Sequence, residues 1–429
     1  MRVLMFGWEF PPHIAGGLGT ACYGMTRGLA ENGVEVLFVM PSASGDEDQS
    51  SVRIINASDV AVDTMSETVD EFLGKVRFVH VGTNMVPYVS PEDFSSVVEE
   101  ERARQIKDFR ITYGQKYQFS GKYGTNLMEE VARYGMVGGT IALQHCDEFD
   151  VIHAHDWLTY LAGIAAKQLT GKPLVVHVHA TSFDRSSDDN IDTRVYDLEK
   201  RGMEAADRVI TVSELTRNIV INKYGIDPAK VVTVHNAVDF SGRAGITVQR
   251  GVKDKIVTFL GRVTYQKGPE YFIEAAAKVL KRCDNVRFVM AGSGDMLNRC
   301  IRHVARLGIA DRFHFTGFLR GDDVRKMFAL SDVYVMPSIS EPFGISPLEA
   351  MQTNVPSIIS KQSGCAEVLK YALKVDFWDV DAMSDAIYGL LNYPALSDFA
   401  TRCGYDEVNA LKWTAAAAKV NAVYESVVR

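Results

Sequence analysis

Apolar positions along this chain follow two alternating rhythms: short continuous runs, and longer stretches at helical spacing. The run within residues 2 to 7 reads as a buried strand, and Leu18, Cys22, Met25 and Leu29 then share one face of a helix over 18 to 32 that Gly33 stops. Val34 to Val39 is a second strand. A strand, a glycine-rich loop, a helix and a strand in that order predict the start of a doubly wound α/β domain.

The alternation continues. Val76 to Val81 reads as a strand, and residues 92 to 110 and 124 to 145 as helices, the second with Leu127, Val131, Tyr134 and Ile141 in step. F-D-V-I-H-A at 149 to 154 is a strand, followed by His155-Asp156-Trp157 and a helical run to Leu169. V-V-H-V-H-A breaks into a polar loop after 180. A helix near 193 to 206, a strand from Arg208 to Val212, a helix capped by Ser213 and a strand at 231 to 236 complete this series.

Texture changes at 237 to 254, where Gly242, Gly245 and Gly251 mix with charge and little periodicity. The expected division is a first domain at 1–240, a linker at 241–254, a second domain at 255–410, and a helical segment at 411–429 that braces the two. The second series has strands at 255 to 260, 286 to 290, 312 to 315 and 332 to 336. The loops after them, G-R-V-T-Y-Q-K-G at 261 to 268, A-G-S-G-D at 291 to 295, T-G-F-L at 316 to 319 and E-P-F-G-I-S-P-L-E at 341 to 349, would line the ligand crevice of a parallel sheet.

Length agrees with this division, because 429 residues exceed what one core usually serves and suit two domains of about 200 residues each. The formal net charge of −8 argues against a general nucleic-acid binder, which needs a basic surface. Six scattered cysteines, without a C-x-x-C pair, suit reduced thiols, and no run approaches the roughly 20 apolar residues of a membrane helix. A cytoplasmic protein is expected.

Several loops carry candidate chemistry. Gly16, Gly17 and Gly19 resemble a dinucleotide fingerprint, yet the second strand ends at Met40-Pro41 with no acidic residue for an adenosine ribose, so a nicotinamide site loses its main support. The glycines suit either a tight turn or backbone contact with a phosphate. Asp46-Glu47-Asp48 mimics a metal-binding triplet, with a solvated loop as the favoured reading. Two H-x-H pairs, His153/His155 and His177/His179, each share a strand face. They suit hydrogen bonding to a neutral ligand better than a metal, because no Cys or Glu cluster completes a shell. No metal and no cofactor are expected. Arg262 and Lys267 at a strand-to-helix loop suit a diphosphate. Ser346, Pro347 and Glu349 read as a capping box, which also allows an anion site with Glu341 and Glu349 accepting from ligand hydroxyls.

With H-D-W at 155 to 157, G-R-V-T-Y-Q-K-G and E-P-F-G-I-S-P-L-E in this order, the chain resembles the retaining nucleotide-sugar glycosyltransferases of group 1 type, whose GT-B architecture sets two Rossmann-like α/β domains facing across a cleft. W-E-F-P-P, G-G-L-G, H-A-H-D-W and H-A-T-S-F-D-R look most like glycogen and starch synthases. The resemblance implies a nucleotide-sugar donor, an α-glucan or other carbohydrate acceptor, and no nucleic acid partner; it leaves the oligomeric state open.

It also implies roles. Arg262 and Lys267 would neutralise the donor diphosphate, Glu349 would take the ribose diol, Glu341 would hold hydroxyls of the transferred sugar, and the amides of Gly344 and Ile345 would meet the distal phosphate. His155 would bind near the sugar 6-hydroxyl. Gly16, Gly17, Gly294, Phe318 and Phe343 would complete the donor contacts. Glycogen synthases commonly carry a lysine two residues before the paired glycines, where this chain has Ile14, followed by Ala15.

Retaining hydrolases place two carboxylates about 5 Å apart. The resemblance supplies no such nucleophile here, so front-face attack is expected, with the leaving phosphate taking the acceptor proton. The implied activity is transfer of glucose from UDP- or ADP-glucose to an α-1,4-glucan. A sucrose-, trehalose- or polysaccharide-type transferase, a sugar-nucleotide epimerase and a non-catalytic sugar-nucleotide binder are the alternatives.

Overall fold

Strand β1 (Arg2–Phe6) has its last four side chains fully buried, as expected of a central strand of a parallel sheet covered on both faces. The structure is a computed structural model and describes residues 1–13, 16–62, 116–121, 126–186, 190–238 and 248–428. It divides into two compact units: Met1–Phe183 with Ser187–Asn236 and Trp413–Arg429, and Ala237–Lys412 with Asp184–Ser186.

In the first unit, β1 leads through α1 (Gly17–Glu31) to β2 (Glu35–Met40) and β3 (Arg53–Asn56). Helix α2 (Leu127–Gln144) packs on α3 (Trp157–Thr170), which joins β4 (Val151–His155) to β5 (Leu174–Val178). Helix α4 (Thr193–Ala205), β6 (Arg208–Thr211), α5 (Glu214–Tyr224) and β7 (Val231–Thr233) follow. Among the described residues the sheet order is β3-β2-β1-β4-β5-β6-β7, with parallel pairing throughout. Ser213 caps α5 as its position in the sequence suggests, its Oγ accepting from the Thr216 amide at 3.0 Å.

The second unit repeats the plan. β8 (Lys255–Leu260), α6 (Pro269–Leu280), β9 (Val286–Ala291), α7 (Leu297–Arg306), β10 (Phe313–Gly317), α8 (Asp322–Leu330) and β11 (Val333–Met336) alternate. They are followed by α9 (Ser346–Gln352), β12 (Ser357–Ser360), β13 (Leu373–Val375), α10 (Val380–Asn392) and α11 (Pro394–Ala410). The sheet order is β10-β9-β8-β11-β12-β13, again parallel.

The final helix, α12 (Trp413–Glu425), belongs to the first unit and packs along α1. Gly28 lets it approach: a Cβ there would lie 2.5 Å from the Trp413 carbonyl oxygen. Tyr424 at its far end is fully buried and meets His153 Nδ1 at 2.5 Å.

Several sequence expectations are revised. Strands β3 (R-I-I-N), β12 (S-I-I-S) and β13 (L-K-V) hold only two apolar residues each, too few to announce a run, unlike β11 (V-Y-V-M). The strand expected at 231 to 236 stops at Thr233. The capping box at 346 to 349 does not form: Ser346 is itself the first helical residue, Ile345 occupies the cap, and the Ser346 hydroxyl bonds the Tyr334 hydroxyl at 2.8 Å. The expected strand at 76 to 81, the helix at 92 to 110, Ile14 and Ala15, and residues 239 to 247 of the linker region lie outside the described residues.

Candidate active site

In an open parallel sheet, ligands bind beyond the carboxyl ends of the strands where the strand order reverses. In the second unit that point lies between β8 and β11. The loop leaving β8 carries Arg262 and Lys267 and enters α6 through Pro269 at its first turn. The loop leaving β11 carries Glu341. Sequence thus placed these three side chains on the two strands that flank the reversal.

Their local geometry is specific. The Lys267 ammonium ion-pairs with the Glu341 carboxylate, which also accepts from Ser338 Oγ at 3.2 Å. The two paired side chains are only 21% and 9% exposed. Arg262 Nη2 lies 3.5 Å from Gln266 Oε1, on the same turn as Lys267. The Glu341 backbone is pinned by the loop after β12: its amide donates to the Gln362 carbonyl at 3.0 Å and its carbonyl accepts from the Gly364 amide at 2.9 Å. A carboxylate fixed at both backbone and side chain is preorganised to accept hydroxyls.

The remaining expected donor residues of this unit lie on the loops after β9, β10 and β11 and in the first turn of α9. Gly344 has φ +93 and turns the chain into α9, so that Ile345 stands at the cap position and Glu349 lies in the first turn. Phe343 is buried, its carbonyl accepting from the Cys365 amide at 2.7 Å, so its ring anchors the loop. Gly294 follows β9, and a Cβ on it would lie 2.4 Å from the Val263 carbonyl oxygen. The two glycine-bearing loops therefore close on each other, with the Val263 amide donating to the Ser293 carbonyl at 2.8 Å. Phe318, after β10, is 49% exposed with the Arg320 guanidinium 5.2 Å from its ring centre, a flat surface suited to a planar base.

Tyr334 joins the two strands beneath the site. Its hydroxyl donates to the Leu260 carbonyl at 3.2 Å and meets Ser346 Oγ at 2.8 Å. Burial pushes its phenol far above the ordinary range, so it stays a neutral donor.

In the first unit the order reverses between β1 and β4. The loop after β1 delivers Gly16 and Gly17 to the start of α1, and the Gly19 amide donates to the buried Glu9 carboxylate at 3.0 Å. Gly16 has an extended backbone, and a Cβ on either Gly16 or Gly17 would meet no described atom within 4 Å. Protein packing among the described residues therefore does not demand glycine here.

Strand β4 ends in His155, paired in register with His177 on β5. His153, His155, His177 and His179 form a stack: ring centroids of neighbours lie 4.3 to 5.4 Å apart with interplanar angles of 8° to 32°. His155 Nδ1 meets His179 Nε2 at 2.9 Å. The first three rings are fully buried, while His179 is partly exposed. Burial, followed by the neighbouring imidazoles, holds His155 and His177 well below the ordinary value. Burial also takes His153 and His179 down to about 3. All four rings are neutral at physiological pH.

Nitrogens of His153, His155 and His177 lie within 4.8 Å of one another, as do ligand atoms of Cys22, His155 and His179. Near-parallel rings point their lone pairs side by side, whereas a tetrahedral ion needs them to converge at about 2.0–2.1 Å. The acidic triplet at 46 to 48 is engaged locally: Asp46 meets His13 at 2.9 Å, Glu47 accepts from the Ser44 and Gly45 amides, and Asp48 accepts from Tyr23 at 2.6 Å. Glu47 is buried, which corrects the expectation of a wholly solvated loop.

Asp156 received no binding role from the sequence, and His179 only a share in the second H-x-H pair. Asp156 has φ +57, uncommon for a side-chain-bearing residue, and its carboxylate accepts from the amides of His179 at 2.7 Å and Ala180 at 3.3 Å. It ties the end of β4 to the loop after β5. The signal available was the second H-x-H pair, whose outer histidine sits one residue beyond its strand.

Two parallel α/β units, each with polar loops at its strand-order reversal, make up an architecture that solved glycosyltransferases share. The family model for the starch synthase catalytic domain matches residues 2–234, and the model for glycosyl transferases group 1 matches residues 247–406. The chain belongs to this glycosyltransferase family and is a glycosyltransferase of GT-B architecture. It is 30% identical to an uncharacterized glycosyltransferase of Methanocaldococcus jannaschii over 86% of this chain and 83% of that protein. It is 23% identical to the glycogen synthase of Mycobacterium tuberculosis, over 99% and 94%. A sucrose-phosphate synthase from Thermosynechococcus elongatus shares the fold, with a TM-score of 0.70 at 18% identity, over 99% of this chain and 98% of that one. No helix of the described residues is long and apolar enough to cross a membrane.

Proposed function

We propose that this protein is a retaining glucosyltransferase that moves glucose from UDP- or ADP-glucose to the non-reducing end of an α-1,4-glucan. The observation that carries the reading is the Lys267–Glu341 pair beside Arg262, at the strand-order reversal of the second sheet. The match of the first unit to the starch synthase catalytic domain supports the glucan acceptor. Lys267 and Arg262 stabilise the charge that develops on the departing diphosphate, the kind of electrostatic term that usually dominates. Glu341 accepts hydroxyls of the transferred glucose, Glu349 accepts the ribose diol, and the Gly344 and Ile345 amides meet the distal phosphate. Phe318 stacks on the base, and Gly294 keeps the phosphate-side loops closed. For the first unit, His155 serves a sugar hydroxyl, and Gly16 and Gly17 leave room for a phosphate to reach the backbone.

The acceptor oxygen bonds to the anomeric carbon on the face from which the diphosphate leaves. The carbon–oxygen bond to phosphate breaks, and a phosphate oxygen takes the acceptor proton. Lys267 and Ser338 engage the Glu341 carboxylate, which suits it to binding rather than to nucleophilic attack. The reaction needs no resident metal or cofactor. Six free cysteines fit a reducing, cytoplasmic setting. A second reading, a transferase with another saccharide acceptor, is favoured by Ile14 standing where glycogen synthases commonly carry lysine.

The test offers a panel of nucleotide sugars in EDTA with glycogen, with maltooligosaccharides and with no acceptor, following nucleotide release and product length. Elongation from a glucose donor with both acceptors is the expected result. Release that requires a phosphorylated monosaccharide, or that requires no acceptor and yields free nucleotide at the full rate, sinks it.

A further inference from the structure

The second unit displays a line of aromatic side chains that the donor contacts do not use. Trp378 is 57% exposed and Tyr265 52% exposed. Phe377 and Tyr271, both partly buried, lie between them in the packing: the Tyr271 and Phe377 rings are 5.2 Å apart, and Phe377 and Trp378 are 4.8 Å apart, edge to face. Tyr265 and Tyr271 flank the turn at Gly268, whose amide donates to the Tyr265 carbonyl and whose carbonyl accepts from the Tyr271 amide. Single exposed apolar residues are ordinary, whereas Tyr271, Phe377 and Trp378 in ring contact, with the exposed Tyr265 on the adjoining turn, offer a contact surface.

This run is continuous with the candidate site. Tyr265 lies on the loop that carries Arg262 and Lys267. At the other end, Gln362, whose carbonyl holds the Glu341 amide, donates from Nε2 to Asp376 Oδ1 at 2.9 Å and accepts from the Phe377 amide at 3.4 Å. Lys361 Nζ meets Asp376 Oδ2 at 2.9 Å. Charged and amide groups therefore stand beside the Phe377 backbone, next to the loop that presents Glu341. Flat rings with polar groups at their edge match a pyranose, which has C–H faces and an equator of hydroxyls.

We propose that Tyr265, Tyr271, Phe377 and Trp378 form a stacking track that binds successive pyranose rings of the saccharide chain accepting the transferred sugar, with Asp376, Lys361 and Gln362 meeting their hydroxyls. This rests on the reading of the protein as a transferase to a carbohydrate chain. It assigns part of the acceptor site to the same unit that holds the donor residues, and it makes affinity depend on acceptor length.

The four tryptophans supply a probe, because Trp8, Trp157 and Trp413 are buried and Trp378 is exposed. Titrating the full-length protein with maltoheptaose is expected to shift and saturate the tryptophan emission, with maltose much weaker, and Trp378→Ala is expected to remove the change. In steady state, Trp378→Ala is expected to raise the acceptor KM by about tenfold, more than it moves the donor KM, and Trp378→Phe to restore most of it. An unchanged emission with maltoheptaose, or an acceptor KM indifferent to Trp378→Ala, overturns the track. So does self-association of the protein that Trp378→Ala abolishes. A saturating emission change without any glucose transfer leaves the track standing and overturns the glucan-transfer reading instead.

Discussion

Lys267 and Glu341 neutralise each other beyond the carboxyl ends of the two central strands of the second sheet, so each is the other's structural partner as well as part of the site. Lys267→Ala is expected to lower kcat by about 100-fold or more, since stabilisation of the leaving diphosphate is lost. It is also expected to cost about 1–3 kcal/mol, because a nearly buried carboxylate loses its counter-charge. Adding Glu341→Gln should recover most of that stability and none of the turnover, as read by urea unfolding beside single-turnover rates. The histidine stack carries a pH signature. Its folded-state pKa values lie below the ordinary value, so in acid the unfolded chain binds protons that the folded one refuses. Stability is therefore full above about pH 6.5 and falls as pH drops toward about 3, by up to ~1.4 kcal/mol per pH unit for each histidine. Replacing His177 with Gln is expected to flatten that slope in unfolding midpoints measured from pH 7.5 to 5, whatever it does to the midpoint at pH 7.5.

Among the elements, the pairing of α1 with α12 is set by small residues. Gly28→Ala drives a methyl group against the Trp413 backbone, which cannot yield as a flexible side chain can. A loss of about 1–3 kcal/mol in urea unfolding is expected, with the second unit unaffected. The element pattern was largely legible beforehand wherever runs were long: β1, α1, α3 and β8 all fall within a residue or two of their expected bounds. β12 and β13 escaped because each offers only two apolar residues, whereas β11, at four residues, is apolar throughout. The site divides the same way. Arg262, Lys267 and Glu341 were legible because charge at a strand end is conspicuous. Ser338, Gln362 and Tyr334 were not, because what each does depends on a partner distant in sequence, as Tyr334 shows by reaching Leu260. Ser346 misled for the same reason: its local pattern spells a cap, but it stands inside the helix, and its hydroxyl pairs instead with the buried Tyr334 hydroxyl on β11.

At the scale of the molecule, the first unit is assembled from both ends of the chain, and the second is the uninterrupted stretch from Ala237 to Lys412 apart from three residues of the first half. Ending the chain at Lys412 removes Trp413, Val420 and Tyr424 from the core of the first unit. Hydrogen exchange on the truncated protein is expected to show lost protection in α1 and β4, while β8, β9 and β11 stay protected; equal loss in both sheets would refute that division. The contact between His153 and Tyr424 spans 271 positions of sequence. On the ribosome, where chains emerge at about 5–20 residues per second and domains usually fold in the order they appear, this arrangement reverses the schedule. The half that is synthesised first must wait, with the groove for its last helix uncovered, while the half that follows is made and can fold to completion, so premature termination anywhere in the second unit leaves the first one unfinished too.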